Sequence, residues 1–484
     1  MTGKKEDEGA TDTRTSRRHF FKLLAGSPLL AMAYPGLPSS WQRGIERELE
    51  LGAATGPRPS GVPCPDCGQE MVYMSPADIR PLQAQSSGAP GQEASDLNRY
   101  LDRQLDGQLI ESVDEAVNVW DFEKVAHANN LPEHWAYIHM GVDDFETRRA
   151  NREGFMRLQL RPKRLGVDTP KLDTSTTLFG RRWNTPLFLC PVAALEAYHT
   201  EGESGAARAA KARGILQIQS NQSSQSYEDI AQARGEPHWF QLYAIADWNM
   251  NKRLLDRVSK AGCPVLVWTV DLLGGSNREL SRRSLGREEY DRPLCQNCHN
   301  HQTGYQRPMR RGIDGPAGTR PPFDASYIKR LKDVAPWKVV VKGIVTREEA
   351  EQAVEAGADG IFVSNHGGRA ENSLRATIDA LPEVVAGVRS RVPVMIDSGV
   401  RRGADIFKAI ALGADAVGIG RPYVWGLGAF GQQGVDKVIE LLLAEFTMVM
   451  RQTRTAKLDD IGPQFVMEGK TPIMMRDNRF GFGL

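Results

Sequence analysis

The stretch PVMIDSGVRRGADIFKAIALGADAVGIGRP, residues 393–422, holds two short apolar runs around one amphipathic run. PVMIDSG and AVGIGRP have the length and the glycine and proline bounds of buried strands. GADIFKAIALGA between them has helical spacing and stops at Gly413-Ala414, a common end before a following strand. This is one strand–helix–strand unit, and its pattern repeats from Pro186 to Val424. The strand candidates, eight in all, are PLFLCPVA, ILQIQS, HWFQLYA, PVLVWTVD, WKVVVKGI, GIFVSNH, PVMIDSG and AVGIGRP, with helical runs such as TREEAEQAVEAGA between them. Eight such units predict a closed (β/α)8 TIM barrel of the α/β class rather than an open sheet. Strands that are apolar throughout agree with a parallel sheet buried on both faces.

Ahead of the barrel, VDEAVNVWDFEKVAHANN from Val113 and PEHWAYIHMG read as helices that cap one end. The predicted organisation is an export signal over 1–33, an irregular N-terminal extension over 34–110, a capped barrel over 111–465 and a tail over 466–484. One long interruption, about 272–322, is basic and rich in Gly and Pro, the composition of a lid, a partner site or a disordered loop.

The chain has 484 residues, 40% hydrophobic and 25% charged, enough for one large soluble core. Lys and Arg (61) balance Asp and Glu (60), which argues against nucleic acid or an anionic membrane surface as a partner. From Ser16, SRRHFFKLLAGSPLLAMAYPG puts a basic pair before an apolar run and Ala31-Met32-Ala33, the layout of a cleavable export signal. Arg17 and Arg18 followed by Phe20, Phe21 and Lys22 resemble a twin-arginine signal, which implies export of the folded protein to the periplasm.

Polar residues collect where the strand candidates end: Ser220, Gln241, Thr269, Asp271, Lys342, Ser364, His366, Asp397 and Arg421. In a barrel these ends share one face, where active sites sit. The Gly-rich turns IDSGVRRG and GIGRP, each with an arginine, fall in the last two units and suit a phosphate group. Lys342 would project into the mouth, where an ammonium stabilises negative charge. His366 is a candidate base near neutral pH, with Asp271 to balance the imidazolium. Arg278 and Arg369 form a pair suited to a carboxylate, and Tyr137 and Tyr243 add hydroxyl donors.

Together, VSNHGGR, ATIDALPEVV, FQLY, VKGIVTREEA, HTEGE and the quoted 396–422 segment resemble the FMN-dependent α-hydroxy acid oxidase and dehydrogenase family, over about residues 113–460. That family includes glycolate oxidase, lactate oxidase, mandelate dehydrogenase and flavocytochrome b2. The resemblance implies FMN with its phosphate at Arg401, Gly420 and Arg421 and its ring near Lys342. Ala193, Ser220, Gln241, Thr269, Ser364, Asp397 and Gly399 would complete its contacts. It further implies His366 as the base with Asp271, Tyr243 and Lys342 in the catalytic group, and Tyr137, Tyr243, Arg278 and Arg369 on the substrate. The implied reaction is oxidation of a lactate-like L-2-hydroxy acid to the 2-oxo acid by a homo-oligomer, with O2, a quinone or a cytochrome as the electron acceptor. Alternatives are another FMN barrel enzyme and a barrel-based electron-transfer flavoprotein.

Four departures from the family pattern bear on this reading: Leu272-Leu273 where Thr-Pro is usual, Ser398 for a glycine, Val192 for a threonine and Gln222 for an aromatic residue. Ser398 keeps its backbone N–H and suits the turn unless a positive φ is demanded there.

The cysteines divide into two kinds. Cys190 and Cys263 lie in or beside apolar runs and read as packing. Cys64 and Cys67 in CPDCG, and Cys295 and Cys298 in CQNCH, are CxxC pairs in polar surroundings. CQNCH has the form of a c-type haem attachment site, and CPDCG that of half a zinc ribbon. Four thiolates in one tetrahedral zinc site is the reading preferred over haem c, because haem attachment precedes folding whereas twin-arginine export follows it, and over two local disulfides.

Overall fold

A computed structural model of the chain describes residues 109–165, 171–272, 274–284, 307–313 and 324–469. Eight parallel strands close into a barrel: β1 Leu187–Leu189, β2 Leu216–Ser220, β3 Trp239–Leu242, β4 Val265–Thr269, β5 Lys338–Ile344, β6 Gly360–Val363, β7 Val394–Ile396 and β8 Ala416–Ile419. The ring closes where Ile419 of β8 registers with Leu189 of β1. Each strand lies within its predicted apolar run.

Side chains alternate across the strands, so every second residue faces the barrel axis. Phe188, Ile218, Trp239, Val267, Val340, Phe362 and Met395 form the inner cluster, whereas their neighbours Leu187, Leu189, Phe240, Leu266, Val339 and Ile361 pack outward against the helices. A short hairpin, Thr176–Leu178 with Arg181–Trp183, places Leu178 and Trp183 in the inner cluster. Continuing the inward row by two residues leads to Cys190, Ser220, Gln241, Thr269, Lys342, Ser364 and Asp397. The period of two thus selects which polar residues crown the barrel interior.

The cap differs from its predicted start. Residues Val113–Glu115 form one 3-10 turn, and the helix begins only at Val119 and runs to Asn129. Asn118 is the reason: its side chain accepts from Trp120 N (2.9 Å) while Asp121 accepts from Asn118 N (3.1 Å), a capping box contributing about 1 kcal/mol. This helix packs on the long segment Arg421–Thr453, with Phe122 edge-on to Phe430 at 6.1 Å beside the kink at Phe430 and Gly431. Within the long interruption, Pro308–Arg310 forms a 3-10 turn that buries Met309 completely beneath Gln219. At the other end of the chain, Val466–Glu468 pairs antiparallel with Leu158–Leu160. The export segment and both CxxC pairs lie outside the described residues.

Candidate active site

After β6 the chain turns outward through three residues with positive φ, His366 (59°), Gly367 (71°) and Gly368 (72°). Two of them are glycines, which adopt this region at little cost; His366 is held there by its partners. Its backbone N–H donates to Ser364 Oγ (3.1 Å), its Nδ1 lies 3.0 and 3.1 Å from the two Asp271 oxygens, and its Nε2 lies 3.0 Å from Tyr243 Oη.

These contacts assign the tautomer. Burial works to raise the Asp271 pKa, but the charges of His366 and Lys342 hold it below the usual carboxylate range. Burial pushes His366 below its ordinary value, aided by Lys342 and Arg369 and opposed by Asp271. A neutral imidazole beside an ionised carboxylate carries its proton on Nδ1 and donates it to Asp271. Nε2 is then the lone-pair nitrogen, accepting from Tyr243 on the cavity side.

Asp271 can approach because residue 343 is glycine. Gly343 has φ 108°, and a Cβ there would sit 2.6 Å from the Asp271 Cβ. The same spot is an irregularity in the β5–β6 register, between Lys342 and Ile344. Lys342 Nζ donates to Ser364 Oγ (2.8 Å) and lies 3.7 Å from Asp271 and 3.9 Å from Asp397. Burial works against its charge, yet the two carboxylates raise its pKa and keep it an ammonium.

A cavity of about 240 Å³ runs from this group toward the last two units. At one end, the Arg369 guanidinium stacks on the Tyr137 ring at 4.4 Å and donates to the Tyr137 carbonyl. Arg278 donates to the Arg369 carbonyl (3.4 Å), and its buried Nε has no partner. Burial and the like charge of Arg369 both lower its pKa. Two guanidiniums brought together around an unpaired donor make a site for a small anion, since an unpaired buried donor costs about 1–3 kcal/mol.

At the other end are Gly399, Arg401, Gly420 and Arg421, where the helix Arg421–Thr453 starts and opens its N-terminus on the cavity. Arg401 stacks over Trp425 at 4.7 Å. Arg421 also ties the cap to the His366 turn, because its Nε, Nη1 and Nη2 donate to the carbonyls of Ile138, Gly367 and Met140 (2.8, 3.0 and 2.7 Å). Ser398 does have a positive φ, 78°. Its hydroxyl offsets the strain by donating to Asp397 (2.8 Å) and accepting from Gly367 N (3.0 Å).

The cavity wall thus gathers Tyr137, Ala193, Tyr243, Arg278, Lys342, His366, Arg369, Asp397, Gly399, Arg401, Gly420 and Arg421. Asp271 stands behind His366. Ser220, Gln241, Thr269 and Ser364 are fully buried and are not part of that wall. Gln241 Nε2 donates to Thr269 Oγ1 (2.9 Å), which leaves Gln241 Oε1 buried and unpaired.

Two participants went unread in the sequence. Cys190 lines the cavity with its thiol 3.6 Å from Asp397, as the inward parity after Phe188 would have indicated. Glu123, on the cap helix, lines a small adjoining cavity with Arg148, Arg401 and Arg421. Burial pushes its pKa up to about 7 against the pull of those arginines. No local pattern marks it.

Residues 126–468 match the family described as FMN-dependent dehydrogenase. A peroxisomal (S)-2-hydroxyacid oxidase of Arabidopsis thaliana is 38% identical over 355 residues, covering 72% of this chain and 96% of that protein. An L-lactate oxidase of Lactobacillus jensenii is 38% identical over 327 residues, 67% of this chain and 79% of its own length. Among solved structures, a soluble mutant of the membrane-associated (S)-mandelate dehydrogenase from Pseudomonas putida superposes with a TM-score of 0.64 at 31% identity, over 73% of this chain and 100% of that one.

Proposed function

The chain belongs to the FMN-dependent dehydrogenase family, and on that premise we propose that it oxidises an L-2-hydroxy acid to the 2-oxo acid, lactate being the smallest such acid. The observation that carries this reading is the Tyr243–His366–Asp271 hydrogen-bond chain beside the unpaired donor of Arg278. Such a site has a base for a substrate proton and a cationic grip for a carboxylate within one cavity.

The residues present fit FMN. Gln241 Oε1 is a buried acceptor without a donor, which the N–H of a flavin ring would satisfy. Arg401, the turn at Gly399 and the helix start at Gly420 and Arg421 would hold the phosphate, with Ala193 and Asp397 beside the ring and Ser220, Thr269 and Ser364 in the buried layer beneath the wall. When bound, FMN supplies the two-electron acceptor.

The chain's own residues do the rest. Arg278 and Arg369 bind and orient the carboxylate, Tyr137 and Tyr243 position the hydroxyl, and His366 Nε2 takes the proton. Asp271 then stabilises the imidazolium through Nδ1, and the Lys342 ammonium offsets negative charge at the centre of the cavity. O2, a quinone or a cytochrome would remove the electrons afterwards. Anaerobic mixing of the purified protein with a panel of 2-hydroxy acids tests the reading: bleaching of the flavin absorbance by at least one acid is expected, and no bleaching by any of them overturns it.

Twin-arginine export to the periplasm, a homo-oligomeric state and a zinc site at Cys64, Cys67, Cys295 and Cys298 complete the proposal. Export and zinc rest on sequence alone. Among the described residues no group of three or more His, Cys, Asp or Glu could hold a metal ion.

A further inference from the structure

Where the cap helix meets the turns proposed for the phosphate lies a second, much smaller cavity of about 20 Å³. Gly367, Gly399, Arg401 and Arg421 are walls of both this cavity and the one that holds His366. Glu123, Arg148, Arg152 and Trp425 line the small one alone. A single water needs about 10–15 Å³, so the space takes one small particle and not an organic acid.

The charges around the space say what that particle is. Four guanidiniums line it with one carboxyl. Arg152 is paired with Asp405, and Arg401 and Arg421 would be answered by the cofactor phosphate from the other cavity. Arg148 is answered by neither: among the described residues its guanidinium has no hydrogen-bond or ion-pair partner, and it lies over the Phe145 ring at 5.8 Å. Burial and then Arg148 lower the Arg421 pKa, as expected for a cation crowded by its own kind. Glu123 supplies only part of the missing charge at neutral pH, because burial raises its pKa to about 7. His139, whose Nδ1 is 3.9 Å from Glu123, is pushed down to about 3 by burial and stays neutral.

A second and independent feature points the same way. Trp425 is 2% exposed, and its indole Nε1–H has no acceptor. Guanidinium and indole groups can only donate, and a buried donor without an acceptor is costly. The occupant that satisfies both accepts hydrogen bonds and carries negative charge. A water would accept but would leave the charge of Arg148 in place.

We propose that the small cavity is a binding site for a monatomic anion, a halide such as chloride, held by Arg148 and the Trp425 Nε1–H behind the cofactor phosphate. The ion joins the cap helix Val119–Asn129, the helix Glu146–Arg157 that carries Arg148 and the start of the segment Arg421–Thr453. It therefore stabilises the phosphate-binding end of the barrel without touching His366, Arg278 or Arg369, and the site does not depend on which reaction the protein catalyses.

The test uses the FMN-loaded protein, in which the phosphate position is already filled. It compares sodium chloride with sodium gluconate at constant ionic strength, gluconate being too large for the cavity. Above the Kd, Tm should rise by about 2 °C for each tenfold increase in chloride, since a ligand of the folded state alone stabilises it by mass action. Arg148→Met and Trp425→Phe each remove one donor and keep most of the side chain's bulk. The chloride shift should vanish in the first and at least halve in the second. Without any variant, wild-type crystals grown in bromide should show an anomalous peak within hydrogen-bond reach of Arg148 and Trp425 Nε1. Equal Tm in the two salts overturns the proposal. A chloride shift that persists in full in Arg148→Met overturns it, as does a bromide peak between Arg278 and Arg369 with a water in the small cavity.

Discussion

His366 and Asp271, 95 residues apart in the chain, meet through Nδ1 and both carboxylate oxygens at 3.0 and 3.1 Å, and this contact decides which nitrogen of the ring is free to act as a base. Replacing Asp271 with Asn keeps the shape but removes the charge that holds the proton on Nδ1 and stabilises the imidazolium. Steady-state kinetics of Asp271→Asn should show kcat/KM lower by about 10²–10⁴-fold with FMN still bound. Unchanged kcat/KM would remove Asp271 from the account.

The pH profile of the wild type follows from the same pair. Burial, Lys342 and Arg369 together outweigh Asp271 and place the His366 pKa below its ordinary value, so the ring stays neutral and competent as the pH falls through 6.5. The acid limb of kcat/KM should therefore lie below that of free imidazole. An acid limb above pH 7 would contradict the assignment of the base.

Gly343 is where backbone conformation and catalysis meet. At φ 108° and with the Asp271 Cβ 2.6 Å from any added Cβ, Gly343→Ala must either strain β5 or push Asp271 away from His366 and Lys342. Thermal unfolding should show a loss of about 2 kcal/mol or more, accompanied by a fall in kcat/KM. Wild-type stability and activity together would mean that the close approach is not required.

Glu123 gives a prediction about stability rather than rate. Its folded pKa of about 7 lies above the unfolded value of 4.5, so its contribution is fully present below pH 4.5 and is lost as the pH rises through 7. Glu123→Gln cannot ionise. The FMN-free variant should match the wild type near pH 5 and exceed it at pH 8, by on the order of 2–3 kcal/mol. A variant no more stable at pH 8 than at pH 5, relative to wild type, would show that Glu123 is not a buried carboxyl under strain.

How much of this was legible in the sequence depended on the range of the signal. The barrel strands announce themselves locally, each an apolar run ending in a polar residue, and all eight lie inside the predicted runs. The cap helix was read six residues too early, since the helical pattern from Val113 gives no weight to Asn118, whose capping box starts the helix at Val119. Cys190 looked like packing because its apolar neighbours hide the parity that turns it inward. Ser220, Gln241 and Thr269 were picked out by position, but their depth below the cavity wall depends on how the strands close. Glu123 was invisible because its partners Arg401 and Arg421 arrive from the far end of the chain.

The export reading has its own test. Replacing Arg17 and Arg18 with lysine should leave FMN-loaded protein in the cytoplasm, measured by fractionation and flavin absorbance, and metal analysis of the wild type should find near-stoichiometric zinc that is lost in Cys295→Ser. Unchanged periplasmic activity in the lysine variant would refute twin-arginine export, and covalent haem on a denaturing gel would refute the zinc site.

The central claim is that His366 Nε2 receives the substrate proton, and rapid anaerobic mixing of His366→Ala with a 2-hydroxy acid that bleaches the wild type tests it most directly. The variant should retain its FMN spectrum, because the residues proposed for the phosphate and the ring are untouched, and its flavin should be reduced about 10²–10⁴-fold more slowly or not at all. Reduction at the wild-type rate in the FMN-loaded variant would contradict the account.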